Sequence, residues 1–244
     1  MKKLLILAAA LILAGCSRQE SQHPQKRAVS HQPDAAETRL RKMSEDDRIR
    51  QMFVVRPQNA DAAKTGGIIL FAQDMSDPKK LISSLQNAAP TPLLVGVDQE
   101  GGTVSRLSAN PSLTNNRQFP SPQESFAKGG IKGAVNEADQ TAQILHSLGF
   151  NWNLAPVADV SQNMESFIYP RTLGQDTKTT AGYIRQVVPA IQQQGVAACL
   201  KHFPGYGAAG DTHTGFASED EACLEPFEAG IRSGADTILV AHVV

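Results

Sequence analysis

Apolar residues recur along much of the chain in one repeated order: an amphipathic stretch of helical period, a glycine, then a short apolar run ending in polar residues. Asn136 to Leu148 places Ala138, Ala142, Leu145 and Leu148 on one helical face, followed by Gly149 and the run Trp152 to Val157. Thr179 to Gln194 repeats the order with Tyr183, Val187 and Ile191, then Gly195 and Val196 to Leu200. Leu224 to Ser233 repeats it again with Phe227 and Ile231, then Gly234 and Thr237 to Val240. Each glycine stands where a helix needs a residue with positive φ to end it. Pro189, inside the second helical stretch, is expected to kink or split it.

Upstream, Gly67 to Phe71 and Pro92 to Val97 are continuous apolar runs, as expected of parallel strands buried on both faces, and Met52 to Val55 is a plausible opening strand. Alternating strands and helices with short turns imply an α/β fold with a parallel sheet and right-handed crossovers. A doubly wound sheet or a (β/α)₈ TIM-type barrel would satisfy this. The polar residues favour the barrel: Asp98, Asp159, Lys201-His202 and His242 each follow a different apolar run, and barrels build their sites at that end of the strands. No G-x-G-x-x-G loop follows the first strands, which weighs against a dinucleotide-binding sheet. About six strands can be counted, so the barrel is read as truncated by two βα units. Its open edges would make folding alone precarious.

The N-terminus reads differently. Lys2 and Lys3 precede the apolar stretch Leu4 to Leu13, too short for a transmembrane helix but suited to an export signal. It ends in Leu13-Ala14-Gly15-Cys16, which resembles a bacterial lipobox. Residues 1–16 are thus expected to be a lipoprotein signal peptide, with Cys16 lipidated and the protein exported and held in the cell envelope by its anchor. Residues 17–38 are polar, rich in Ser, Gln, His and Pro, and are expected to form a flexible tether to a domain over 39–244. His23 and His31 in that tract are read as solvated.

The chain has 244 residues and a net charge of −1, with 5% aromatic residues and no segment that clusters basic with aromatic side chains. Nucleic acid is therefore excluded as a main partner. Cys199 lies in an apolar run and reads as a small buried hydrophobe, and pairing with Cys223 is the one disulfide open to the domain.

Candidate chemistry concentrates in Lys201-His202-Phe203-Pro204-Gly205 and the glycine-rich segment after it, which carries Asp211-Thr212-His213. An imidazole beside a carboxylate on a loop suits general acid–base catalysis near neutral pH. Two other readings are a loop that these residues merely fold and a metal site of His202, Asp211 and His213. The metal reading lacks the tight spacing of metal motifs, so no metal or other cofactor is expected.

This segment resembles the signature of glycoside hydrolase family 3, in particular its β-N-acetylglucosaminidase branch. Three further stretches match the family in order: Gly96-Val97-Asp98-Gln99-Glu100-Gly101-Gly102 with Arg106, then Asn153 to Val160, then Arg171-Thr172-Leu173-Gly174. The resemblance implies that His213 is the acid/base, with Asp211 as its partner. It also implies that Asp98, Arg106, Arg171, Lys201 and His202 bind sugar hydroxyls. Asp159 and Glu100 are read instead as loop-anchoring groups. The implied reaction is hydrolysis of terminal β-linked N-acetylhexosamine with retention, through a glycosyl-enzyme intermediate. Peptidoglycan fragments or chitin oligomers would be the glycan. The family's nucleophile is an Asp after a later strand, beyond Val244; Asp220 and Asp236 do not suit that role, so the chain as given is expected to lack turnover. Alternatives are a β-glucosidase, β-xylosidase or phosphorylase of the same family, and a non-catalytic glycan-binding lipoprotein.

Overall fold

The computed structural model of the chain describes residues 35–206 and 223–242. Residues 1–42 and 43–244 form separate units. In the first, Ala35–Lys42 is a helix, α1, so residues 35–38 of the expected tether are helical. The signal segment, Cys16 and the rest of the tether lie outside the described residues. No helix among the described residues is long and apolar enough to cross a membrane.

The second unit opens with α2, Glu45–Arg50, whose first turn is closed by Ser44: its Oγ accepts from the Asp47 amide at 3.2 Å. Then come the strands β1 (Val54–Val55), β2 (Gly67–Leu70) and β3 (Leu94–Val97), a hairpin of β4 (Gln99–Gly101) and β5 (Val104–Ser105), and β6 (Trp152–Asn153), β7 (Ala197–Phe203) and β8 (Thr237–Val240). Six of them form one parallel sheet in the order β1-β2-β3-β6-β7-β8. Every strand therefore lies beside the one before it, once the hairpin is set aside. A doubly wound sheet reverses its order at a switch point, and this sheet never does, so it curls as the greater part of a TIM-type barrel. The expected fold class is the observed one.

The buried runs explain the strands. Ile68, Leu70, Val95, Val97, Ala198 and Leu200 are all fully buried, as in a sheet covered on both faces. The first strand is shorter than expected, because Met52 and Phe53 lie in the turn after α2 and are exposed. β6 is shorter too. Pro156 has no amide to donate, so residues 154–158 leave the regular ladder. They still bond across it: Leu154 N donates to Val97 O at 2.9 Å, and Cys199 N to Ala155 O at 2.9 Å.

Among the helices that alternate with these strands are α4 (Pro122–Ser147), α5 (Thr177–Gln193) and α6 (Glu225–Arg232). Their terminating glycines are as expected: Gly149, Gly195 and Gly234 have φ of 96°, 77° and 81°. After α4 the stop is a Schellman pair, with Gly149 N donating to His146 O at 3.0 Å and Phe150 N to Leu145 O at 3.0 Å. A Cβ on residue 149 would also meet Ile82 Cγ2 at 3.2 Å. Gly149→Ala is therefore expected to lower stability by about 1–2 kcal/mol, read as a lower urea midpoint. An unchanged midpoint would show that this helix stop carries no strain.

Other helical details differ from expectation. α4 begins at Pro122, well before Asn136, with a capping box in which Ser121 and Glu124 each receive the other's amide, and it breaks at Gly129-Gly130. Another helix, α3 (Pro78–Ala88), capped by Asp77, fills the crossover from β2 to β3, to which periodicity assigned nothing. Pro189 does not split α5. On α6 Phe227 is buried, but Ile231 is 52% exposed. The buried face runs instead through Pro226, Phe227, Ala229 and Gly230. Gly230 allows this, since a Cβ there would lie 2.5 Å from the Leu200 side chain.

Candidate active site

The C-terminal ends of β3 and β7 bring together residues far apart in sequence. β3 ends at Val97, which leaves Asp98 at its mouth, and the chain then doubles back in the β4–β5 hairpin. Asn153 on β6 clamps that hairpin: its Oδ1 accepts from Gln99 N at 3.1 Å and its Nδ2 donates to Gln99 O at 3.0 Å. The Gln99 side chain, itself buried, accepts from Leu107 N at 3.0 Å. The hairpin thereby points Glu100 inward and returns Arg106 to within 3.4 Å of Asp98.

β7 supplies Lys201 and His202. Lys201 is 2% exposed, and its ammonium contacts both Asp98 and Glu100. Arg171 comes from a single turn of 3₁₀ helix, Tyr169–Arg171, in the long β6–α5 connection. Its guanidinium grips Glu100 with two bonds, Nε to Oε2 at 2.9 Å and Nη2 to Oε1 at 2.7 Å. Burial alone would lower the Arg171 pKa, but the charges of Glu100, Asp98 and Asp159 outweigh it and raise it. The guanidinium stays charged.

Asp159 is fully buried and works as an anchor. Its Oδ2 accepts from His202 N at 3.0 Å and lies 2.7 Å from His202 Nδ1; its Oδ1 accepts from Tyr206 N at 2.8 Å. Three cations (Arg106, Arg171, Lys201) thus balance three carboxylates (Asp98, Glu100, Asp159) within one connected set. Asp98 and Glu100 each face cations directly, while Asp159 is held by the His202 ring and two backbone amides, so no buried carboxylate is left without partners.

Asp98, Arg106, Arg171, Lys201, His202 and Tyr206 line an open pocket, with Leu154, Leu239, Val240 and His242 also on its wall. All five expected sugar-contact residues are thus brought together. His213 and Asp211 lie outside the described residues. Among the described residues no cluster of His, Cys, Asp and Glu side chains suits a metal ion. Cys199 is buried and Cys223 half-buried, and both are free thiols. Burial pushes the Cys199 thiol pKa up.

Tyr206 and the Asn153 clamp were not visible in the strand and motif pattern. Tyr206 is buried with its ring 4.8 Å from that of His202 and 5.0 Å from that of Phe167. Its place directly after Phe203-Pro204-Gly205 was the available signal. Asn153 stands at the start of its motif, but a residue that bonds hairpin backbone from a neighbouring strand leaves no local trace.

An ordered set of charged donors and acceptors beside an open pocket suits a polyhydroxylated ligand, because hydrogen bonds to charged groups are the ones strong enough to offset desolvation. A β-hexosaminidase of Xanthomonas oryzae pv. oryzae is 34% identical over 190 residues, covering 73% of this chain and 57% of its own length. A β-N-acetylglucosaminidase/β-glucosidase of Cellulomonas fimi is 28% identical over 225 residues, covering 85% of this chain and 39% of its own. Among solved structures, a glycoside hydrolase family 3 β-N-acetylglucosaminidase from Paenibacillus sp. superposes with a TM-score of 0.72 at 29% identity, covering 83% of this chain and 42% of that one. The chain spans little more than half the length of the Xanthomonas relative. The glycosyl hydrolase family 3 N-terminal domain matches residues 44–244, and the chain belongs to that family.

Proposed function

We propose that the chain carries the sugar-binding half of a β-N-acetylhexosaminidase that releases terminal β-linked N-acetylhexosamine with retention. The observation that carries this reading is the convergence of Asp98, Arg106, Arg171 and Lys201 on one pocket at the strand ends. Asp98 accepts from sugar hydroxyls while the three cations donate to them. His213, partnered by Asp211, protonates the departing oxygen and later deprotonates water. The attacking carboxylate comes from a later strand, outside this chain. The glycan is a peptidoglycan fragment or a chitin oligomer. The names of the Xanthomonas and Paenibacillus relatives support the amino-sugar preference. The double name of the Cellulomonas relative supports a second reading, in which glucosides are also accepted.

The test is direct binding. N-acetylglucosamine titrated into the chain should perturb backbone resonances of Asp98, Arg171 and Lys201, and glucose should do so more weakly. No perturbation by either sugar sinks the reading; equal perturbation favours the broader one. We also propose that the protein is exported and anchored through a lipid on Cys16. Cys16→Ser should then move it from the membrane to the soluble fraction of its host.

A further inference from the structure

The break in α4 has a cause in its own backbone. Gly129 and Gly130 leave helical geometry, and Gly130 takes φ 60° and ψ −157°, a region open essentially to glycine alone. A Cβ on either residue would meet no atom within 4 Å, so the glycines serve the bend itself and not a close contact. Across the bend the two pieces of the helix touch: a Cβ on Gly133 would lie 2.7 Å from Ser125 O. Residues 122–128 are thereby a short helical piece of their own. Ser121 closes its first turn, its Oγ accepting from Glu124 N at 3.1 Å and its N donating to Glu124 Oε2 at 2.7 Å.

The start of that piece touches two loops of the site. One is the β4–β5 hairpin: Gly102 N donates to Phe119 O at 2.8 Å, a Cβ on Gly102 would lie 2.8 Å from Ser121 Cβ, and one on Gly101 would overlap Pro120 O. The other is the β6–α5 connection, where a Cβ on Gly174 would overlap the side-chain amide of Gln123. The hairpin carries Glu100, the connection carries Arg171, and two bonds join that carboxylate to that guanidinium. Residues 119–123 therefore touch both of the loops that this pair links. Gln123 Nε2 is buried and finds no hydrogen-bond partner among the described residues. Its side chain thus bears on Gly174 by contact and not through a bond.

We propose that the first turn of α4 braces these two loops, and that Gln123 is a positioning residue whose contact with Gly174 fixes where the connection holds Arg171. Gln123 does not line the pocket, so its effect passes through the loop and not through the ligand. The brace stands on the protein's own contacts; only the identity of the ligand rests on the sugar reading above.

Variants of the full chain test this, with the Arg171 Nε–H resonance reporting the bond to Glu100 and titration with N-acetylglucosamine reporting the pocket. Gln123→Ala is expected to shift that resonance and to weaken binding on the order of tenfold, the usual effect of losing a group that orients a ligand-binding side chain. Gln123→Met keeps the length of the side chain without its unbonded amide and should restore most of the loss. Gly174→Ala pushes against Gln123 and should also weaken binding. Combining it with Gln123→Ala makes room for the new Cβ, so part of the binding should return. The strain of alanine at φ 69° is common to both forms, and the difference between them isolates the contact. An Arg171 resonance unmoved in Gln123→Ala overturns the proposal. So does equal loss in Gln123→Ala and Gln123→Met, or a double variant no better than Gly174→Ala alone. A shifted resonance with no sugar binding in any form supports the brace and counts against the sugar reading alone.

Discussion

Replacing Lys201 with methionine is expected to destabilise the fold by about 3–5 kcal/mol, the cost of leaving a buried charge without its partner. Lys201 is 2% exposed and its ammonium bridges Asp98 and Glu100, whose side chains are 22% and 1% exposed. Methionine fills nearly the same volume, so little of the effect should come from packing. Arg106 still faces Asp98 and Arg171 still grips Glu100. The deficit therefore arises from two carboxylates that share one missing cation. Adding Asp98→Asn to Lys201→Met removes one of those charges and should recover part of the loss, a coupling visible in a double-mutant cycle. Urea denaturation of the four forms measures it. A loss below about 1 kcal/mol in the single variant, the range of an exposed ion pair, would mean that the network is solvated.

Loss of the imidazole at position 213 should have the largest effect on turnover. In a form of the protein that carries the nucleophile, His213→Ala is expected to slow hydrolysis of unactivated N-acetylglucosaminides by about 10²–10⁴-fold, the usual worth of general acid–base catalysis. Aryl glycosides with good leaving groups need little protonation at the glycosidic oxygen, so their first step should be much less affected. The diagnostic is the difference between the two substrate types under identical conditions. Equal, near-wild-type rates on both would remove His213 from the acid/base role. A uniform collapse on both, with loss of sugar binding, would point to damage of the pocket instead.

Much of the fold was legible locally. Continuous apolar runs mark β2, β3 and β7 because a sheet covered on both faces has no solvent side to keep polar. The three helix-ending glycines were legible because positive φ is penalised for any residue with a Cβ. The hairpin β4–β5 escaped notice: its residues are Gln, Glu, Gly, Val and Ser, and it exists because Asn153 holds Gln99 from a neighbouring strand. Ile231 misled for a related reason. Helical period places it beside Phe227, but which stripe of α6 is buried depends on the groove that Leu200 offers to Gly230.

Sequence alone determined the alternation of strands and helices and the positions where polar residues follow the strands, and its resemblance to a family singled out Asp98, Arg106, Arg171, Lys201 and His202 as residues to look for. Those features depend on residue type and near neighbours, which a linear pattern records. The tertiary structure decided which barrel-like order the strands take, and how those side chains divide the work. Lys201 meets Asp98 across 103 residues of chain, and Arg171 meets His202 across 31. Such pairings follow only from that meeting, because a hydrogen bond is a property of two groups in space and neither one's sequence neighbourhood contains the other.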